Sequence, residues 1–236
     1  VATATYQHKG AGADTLGVPK AVNFRYPIFL DLSRKKCLVT GEGQEVAAKV
    51  QALVDASAEV VYVNPRAEVA IEALAAAGLI HWEKRDFVAG DLGGCWLAIS
   101  DLEDNSEIFR LAEERGVLCN SVDDPEHCRF SFGSIHRRGE LTIAVSTNGW
   151  APAIAVRLKE RLEREIGPEY ADFLELLKPA RPEIASRLAD FGARRALWYR
   201  IVDSEVLAML RRGEKEAAAT LVREMMDEAA DRAADG

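Results

Sequence analysis

The chain has 236 residues, 48% of them hydrophobic and 29% charged, with a formal net charge of -8. That is enough apolar material for one large domain or two to three small ones, so disorder is not expected. The acidic balance and the lack of a long Lys/Arg run argue against a polyanion-binding surface, and no nucleic-acid partner is expected. Cys37, Cys95, Cys119 and Cys128 form no Cys-x-x-Cys pair, which points to reduced, mostly buried thiols and no metal site. No apolar run approaches the ~18 residues of a membrane span, and the N-terminus lacks a basic segment followed by an apolar core. The expectations are no membrane partner and a cytoplasmic location.

In chain order, residues 1–23 are small, polar and glycine-containing and read as a loose leader. Residues 36–40 read as a buried strand ending in a glycine pair, 46–54 as a helix and 59–64 as a second strand, which together make a βαβ unit. A helix over 66–77, strands over 79–83 and 95–100, a helix over 105–115 and a strand over 117–120 continue the alternation. Strands and helices at this spacing predict an α/β fold, a Rossmann-like parallel sheet with helices on both faces. Past Pro125 the alternation stops: residues 141–147 form one more strand, and nearly everything after Pro152 has helical periodicity, punctuated by Pro168, Pro179 and Pro182. A domain change near residue 133 is the simplest account. The stretch 214–234 lacks Gly and Pro and predicts one long helix.

The turn Thr40-Gly41-Glu42-Gly43-Gln44-Glu45-Val46 stands where a strand hands over to a helix. Two glycines there let the backbone turn tightly and approach a pyrophosphate at the helix N-terminus. The third small residue of the fingerprint falls on Val46, and Ala47 follows one place late. The acidic residue that ordinarily closes the second strand is replaced by Asn64, followed by Pro65 and Arg66. Asn64 suits a ribose hydroxyl and Arg66 a 2'-phosphate, so NAD and NADP both stay open. Glu42 is the main objection, because a carboxylate about 5 Å from a phosphate charge costs roughly 3 kcal/mol at an effective dielectric near 20, unless it swings away. On the motif alone, a tight turn with no ligand reads equally well.

Asn120-Ser121-Val122-Asp123-Asp124-Pro125 ends the last parallel strand, where ligands gather in open α/β sheets. Asp124 before Pro125 reads as a helix N-cap, and Asp123 is open between cap and pocket. His127 beside Cys128 reads as a surface or packed residue before a metal pair.

In these pieces taken together, the chain resembles the precorrin-2 dehydrogenase and sirohydrochlorin ferrochelatase family, the N-terminal module of siroheme synthase. The resemblance runs from Tyr26-Pro27-Ile28-Phe29-Leu30 through the glycine turn, Cys95-Trp96-Leu97-Ala98-Ile99, Cys119-Asn120-Ser121-Val122-Asp123 and Ala144-Val145-Ser146-Thr147-Asn148-Gly149 to Gly192-Ala193-Arg194-Arg195. After the leader at 1–23, it implies a dinucleotide-binding domain at 24–132, a small dimerisation domain at 133–166 and a helical domain at 167–236. It also implies an intertwined homodimer and a tetrapyrrole substrate. The implied activity is NAD-dependent oxidation of precorrin-2 to sirohydrochlorin, an oxidoreductase reaction of siroheme biosynthesis, in some members followed by ferrous iron insertion, a lyase reaction. Asp123 is the implied catalytic residue. Gly41, Gly43, Gln44, Glu45, Val46, Asn64, Pro65, Arg66 and Ser100 are expected at the cofactor, and Arg129, His136, Arg137 and Arg138 at the substrate carboxylates. A separate methyltransferase is expected to supply precorrin-2. The competing readings are a ferrochelatase that has lost NAD binding, motivated by Glu42, and a non-catalytic tetrapyrrole carrier or sensor.

Overall fold

The computed structural model describes residues 25–234, so the leader expected at 1–23 lies outside the described residues. The chain divides between Ser131 and Phe132 into two compact units.

The first unit runs β1 (Lys36–Gly41), α1 (Gln44–Asp55), β2 (Glu59–Val63), α2 (Val69–Ala76), β3 (His81–Glu83), a 3-10 turn (Ala89–Leu92), β4 (Leu97–Asp101), α3 (Ser106–Arg115) and β5 (Leu118–Ser121). Its five strands are parallel and lie in the order β3-β2-β1-β4-β5. Both faces of the sheet are covered, as the near-continuous apolar strands require. Cys37 and Val39 of β1 join Val46, Val50, Leu53 and Ile71 in one core. Leu38, between them in sequence, joins Ile108, Leu111 and Ala112 in another. Period-two alternation thus sends neighbouring side chains to opposite faces, against α1 and α2 on one and α3 on the other. The chain winds outward from β1 through β2 to β3, then returns across to β4 on β1's other flank. The carboxyl ends of β1 and β4 therefore form the topological switch point.

The crossover from β3 to β4 has no α-helix, only the 3-10 turn, and polar bonds hold it. Arg85 donates from Nη1 and Nη2 to the two Asp91 carboxylate oxygens at 2.8 Å each, and the Val88 amide donates to the same carboxylate at 2.9 Å. That bidentate grip holds the Asp91 carboxyl below its ordinary range, with its partial burial opposing. The helix expected from residue 66 starts only at Val69. The Arg66 carbonyl is already engaged by Tyr62 Oη at 2.9 Å and Asn64 Nδ2 at 2.8 Å, which keeps this segment out of the helix.

The second unit opens with an antiparallel hairpin of β6 (Ser134–Arg138) and β7 (Leu141–Val145). Five helices follow: α4 (Pro152–Glu165), α5 (Glu169–Arg187), α6 (Phe191–Val202), α7 (Val206–Arg211) and α8 (Lys215–Ala234). Of the two hairpin strands, the sequence predicts only β7; the helices after Pro152 match its helical periodicity. β6 is one polar-rich ribbon strand with His136 turned inward, a pattern that hydrophobic periodicity does not flag. Pro179 and Pro182 lie inside α5 without ending it. An interior proline costs a helix about 3 kcal/mol, and the buried stripe of Phe173, Ala180 and Ile184 around the two prolines offsets that loss. Glu169 opens α5 largely buried, and Arg211 of α7 meets it at 2.8 Å. Burial pushes the Glu169 carboxyl up, but that ion pair and backbone bonds outweigh it and leave it below its ordinary range. Among the described residues no helix is long and apolar enough to cross a membrane.

Candidate functional site

The two glycines of the turn are needed for different reasons. Gly41 has φ +113, and a Cβ on it would lie 2.5 Å from the Asp101 carbonyl oxygen, so only glycine lets β1 and β4 close up here. Gly43 has φ +97 and ψ 171, and a Cβ there would meet nothing within 4 Å. Its bare backbone faces open space at the N-terminus of α1. No side chain caps that helix, and its first backbone bond runs from Ala47 to Gly43 at 3.1 Å. The amides of Gln44, Glu45 and Val46 are thus left without intrahelical partners at the positive end of the helix dipole, an arrangement that fits a pyrophosphate. Val46 is fully buried in the core, which explains why the third fingerprint position need not be small. Glu45, exposed in the first turn, pairs with Lys49 at 3.5 Å. Just below the turn, the Thr40 hydroxyl is buried with no hydrogen-bond partner among the described residues.

The loop after β2 is stitched to this turn. Tyr62 is fully buried, and its hydroxyl lies 2.7 Å from the Gly41 carbonyl and 2.9 Å from that of Arg66, one proton serving two acceptors. Burial, and after it the Glu42 charge, push its pKa up to about 12, so it remains a donor. Asn64 Nδ2 donates to Glu42 Oε1 at 3.2 Å, and Arg66 donates Nε to the same oxygen at 3.1 Å. The Glu42 carboxylate therefore reaches towards the loop after β2, which answers the objection that it would repel a phosphate at the helix N-terminus. Pro65 is exposed at the bend between Asn64 and Arg66.

At the other flank of the switch point the strand ends carry two acids. Asp101 ends β4 in register with Gly41. Burial first, then the charge of Asp123, then that of Glu45, hold the Asp101 carboxyl above its ordinary range. Asp123 is exposed and sits at φ +53, a left-handed conformation that Asp tolerates better than most residues. Cys128 brackets its loop: Sγ lies 3.1 Å from the Ser121 carbonyl and 3.2 Å from that of Asp124, and the Ser121 amide donates to it at 3.2 Å. Asp124 stands at the N-cap position before Pro125 but makes no side-chain cap bond. Its carboxylate meets His127 Nδ1 at 2.7 Å and Asn105 Nδ2 at 3.4 Å instead.

Other expected site residues fall elsewhere. Ser100 is fully buried with its hydroxyl 3.0 Å from that of Ser121, so the residue that β4 presents at its end is Asp101, which sequence reasoning missed. The missed signal was positional: Asp101 is the first charged residue after a buried strand. Arg129 pairs with Glu113 and lies over Phe109, and its amide donates to Cys119, two residues back along β5 from Ser121. His136 is 2% exposed, and its Nε2 meets the Ile166 carbonyl at 3.1 Å. It ties β6 to the end of α4, which corrects the expectation that it grips substrate carboxylates. Arg137 is exposed on β6, and Arg138 Nη1 donates to the Arg137 carbonyl at 3.1 Å while its Nε is buried without a partner among the described residues. Among the described residues no three His, Cys, Asp or Glu side chains could hold a metal ion.

Comparison with known proteins matches three family models in succession. Residues 28–134 match one described as "Putative NAD(P)-binding", 138–165 the sirohaem biosynthesis protein central region and 169–226 the sirohaem synthase dimerisation region. The dimerisation role expected for 133–166 thus falls on 169–226 in these matches. Siroheme synthase 1 of Serratia proteamaculans is 35% identical over 195 residues, covering 81% of this chain and 41% of the relative. Siroheme synthase 1 of Aeromonas salmonicida is 33% identical over 196 residues, covering 81% and 42%. The chain therefore spans about two fifths of the length of these relatives. A solved structure titled SirC, precorrin-2 dehydrogenase, shares the fold with TM-score 0.70 and 20% identity over 85% of this chain and 100% of that one. With three successive models matched, and with relatives aligned across four fifths of its length, the chain is similar to a module of siroheme synthase built from an NAD(P)-binding-type domain, a central region and a dimerisation region.

Proposed function

We propose that this chain oxidises precorrin-2 to sirohydrochlorin with a nicotinamide dinucleotide as hydride acceptor, acting as a homodimer in the cytoplasm. The observation that carries this reading is one switch point bearing both an open glycine backbone at a helix N-terminus and, on the neighbouring strand ends, the Asp101 and Asp123 carboxylates. The amides of Gln44, Glu45 and Val46 would hold the pyrophosphate, and Glu42, Asn64 and Arg66 would face the adenosine ribose. A bound nicotinamide would supply the two-electron oxidation by accepting a hydride. The protons released beside that hydride need a base, and Asp123, exposed at the strand end, suits that task. Asp101, held above its ordinary range, gives the pair a second site for a proton.

The same carboxylates would accept pyrrole N–H protons if ferrous iron entered as a second substrate. The macrocycle's four nitrogens would bind it without a protein cage. Arg137 and Arg138 remain the candidates for the substrate's acetate and propionate groups. The cytoplasm suits four cysteines that are all free thiols. The deciding experiment follows the absorbance of anaerobic precorrin-2 with the protein, adding NAD and then ferrous ion separately. Sirohydrochlorin and NADH should appear together, and only after NAD is added. Sirohydrochlorin formation at the same rate without NAD would overturn the reading.

A further inference from the structure

At the carboxyl end of β2, where dinucleotide-binding sheets ordinarily place the acid that reads the ribose, this chain has the uncharged Asn64. A carboxylate is nonetheless present at that corner, delivered from the opposite side by Glu42, between the two glycines. Three nitrogens converge on one of its oxygens: Asn64 Nδ2 at 3.2 Å, Arg66 Nε at 3.1 Å and Arg66 Nη2 at 3.1 Å from Oε1. Oε2 is left to accept a hydroxyl. Asn64 spends its other amide hydrogen on the Arg66 carbonyl at 2.8 Å. The backbones that carry Glu42 and Arg66 are held together by the buried Tyr62 hydroxyl, which bridges the Gly41 and Arg66 carbonyls.

We infer that Glu42, acting through Arg66, is the cofactor-specificity determinant of this chain, admitting a free ribose 2'-hydroxyl and turning away a 2'-phosphate. This rests on the dinucleotide reading of the site. Arg66 alone would draw a 2'-phosphate, since its planar fork matches phosphate oxygens. Paired with Glu42, its charge is spent. A phosphate entering the corner would have to displace the carboxylate and then lie beside it, whereas a hydroxyl donates to Oε2 without disturbing the pair. The Arg66 and Glu42 side chains are 80% and 48% exposed, so water screens the effect and the discrimination is modest in size.

The test is a titration of the intact chain with NADH and, separately, NADPH, following nicotinamide fluorescence without tetrapyrrole. The unaltered protein should bind NADH roughly fivefold more tightly than NADPH, a change of scale set by one screened charge pair. Glu42→Gln keeps the side-chain size while freeing Arg66, and should tighten NADPH by roughly fivefold and weaken NADH slightly. Adding Arg66→Ala to that variant should remove the gain. An unchanged NADH-to-NADPH ratio in Glu42→Gln, with NADH still bound, overturns the specificity role and leaves the cofactor reading standing. Equal binding of the two in the unaltered protein does the same. Binding of neither dinucleotide overturns both.

Discussion

The two flanks of the switch point are built on opposite principles. On the β2 side, Tyr62, Asn64, Arg66 and Glu42 satisfy one another, and the backbone of the turn is tied to the loop beyond β2. On the β5 side, Asp101 and Asp123 repel, Asp123 takes a left-handed backbone conformation, and no cation is paired with either among the described residues. The first flank is tied by its own side chains into one arrangement. The second gathers two like charges at neighbouring strand ends, the kind of arrangement that active sites use to tune acids and bases. If that division holds, damage on one side should appear in binding and damage on the other in turnover.

The largest effect is expected from Asp123→Asn, which keeps the shape of the side chain and removes its basicity. The turnover number should fall by roughly 10²–10⁴, the usual range for a positioned acid or base, with NADH affinity unchanged. Steady-state rates combined with a binding titration check this. A variant that turns over normally would take Asp123 out of the chemistry.

A smaller effect of opposite kind is expected from Tyr62→Phe. Removing one hydroxyl leaves the buried Gly41 carbonyl without its 2.7 Å donor and releases the stitch to Arg66. A lost buried hydrogen bond costs about 1 kcal/mol, so the KM for NAD should rise roughly fivefold while kcat stays within about twofold. Equal changes in kcat and KM would show that the two flanks are not separable.

The two flanks also differed in how readable they were. The βαβ alternation, the glycine turn and the Asn64-Pro65-Arg66 corner could be placed from sequence because local periodicity and the demands of a tight turn are written in consecutive residues. Asp101 was passed over because its role depends on parallel register: it lies opposite Gly41, sixty positions earlier, and no local pattern reports that. His136 misled for the reverse reason. Its neighbours Arg137 and Arg138 suggested a cationic group for substrate carboxylates, but strand alternation turned it inward onto the Ile166 carbonyl. Glu42 read as an obstacle so long as its partners across the turn were unknown. Long-range pairing settled what local chemistry left open.

The smallest expected effect, and the one that most sharpens the contrast, is Asp101→Asn. Because burial and the Asp123 charge raise its pKa on folding, the folded chain holds a proton at Asp101 to higher pH than the unfolded chain does. The folded state thus binds more protons in that window, so stability declines as pH rises through the ordinary carboxylate range to the raised folded value. Above that raised value the penalty is complete, and a neutral amide abolishes it. Asp101→Asn should therefore raise Tm by about 1–2 °C at pH 7 and leave it unchanged at pH 3, as scanning calorimetry at the two values would show. A variant less stable at pH 7 would mean that Asp101 is a structural acid whose contacts outweigh its repulsion. The β5 flank would then be built like the other.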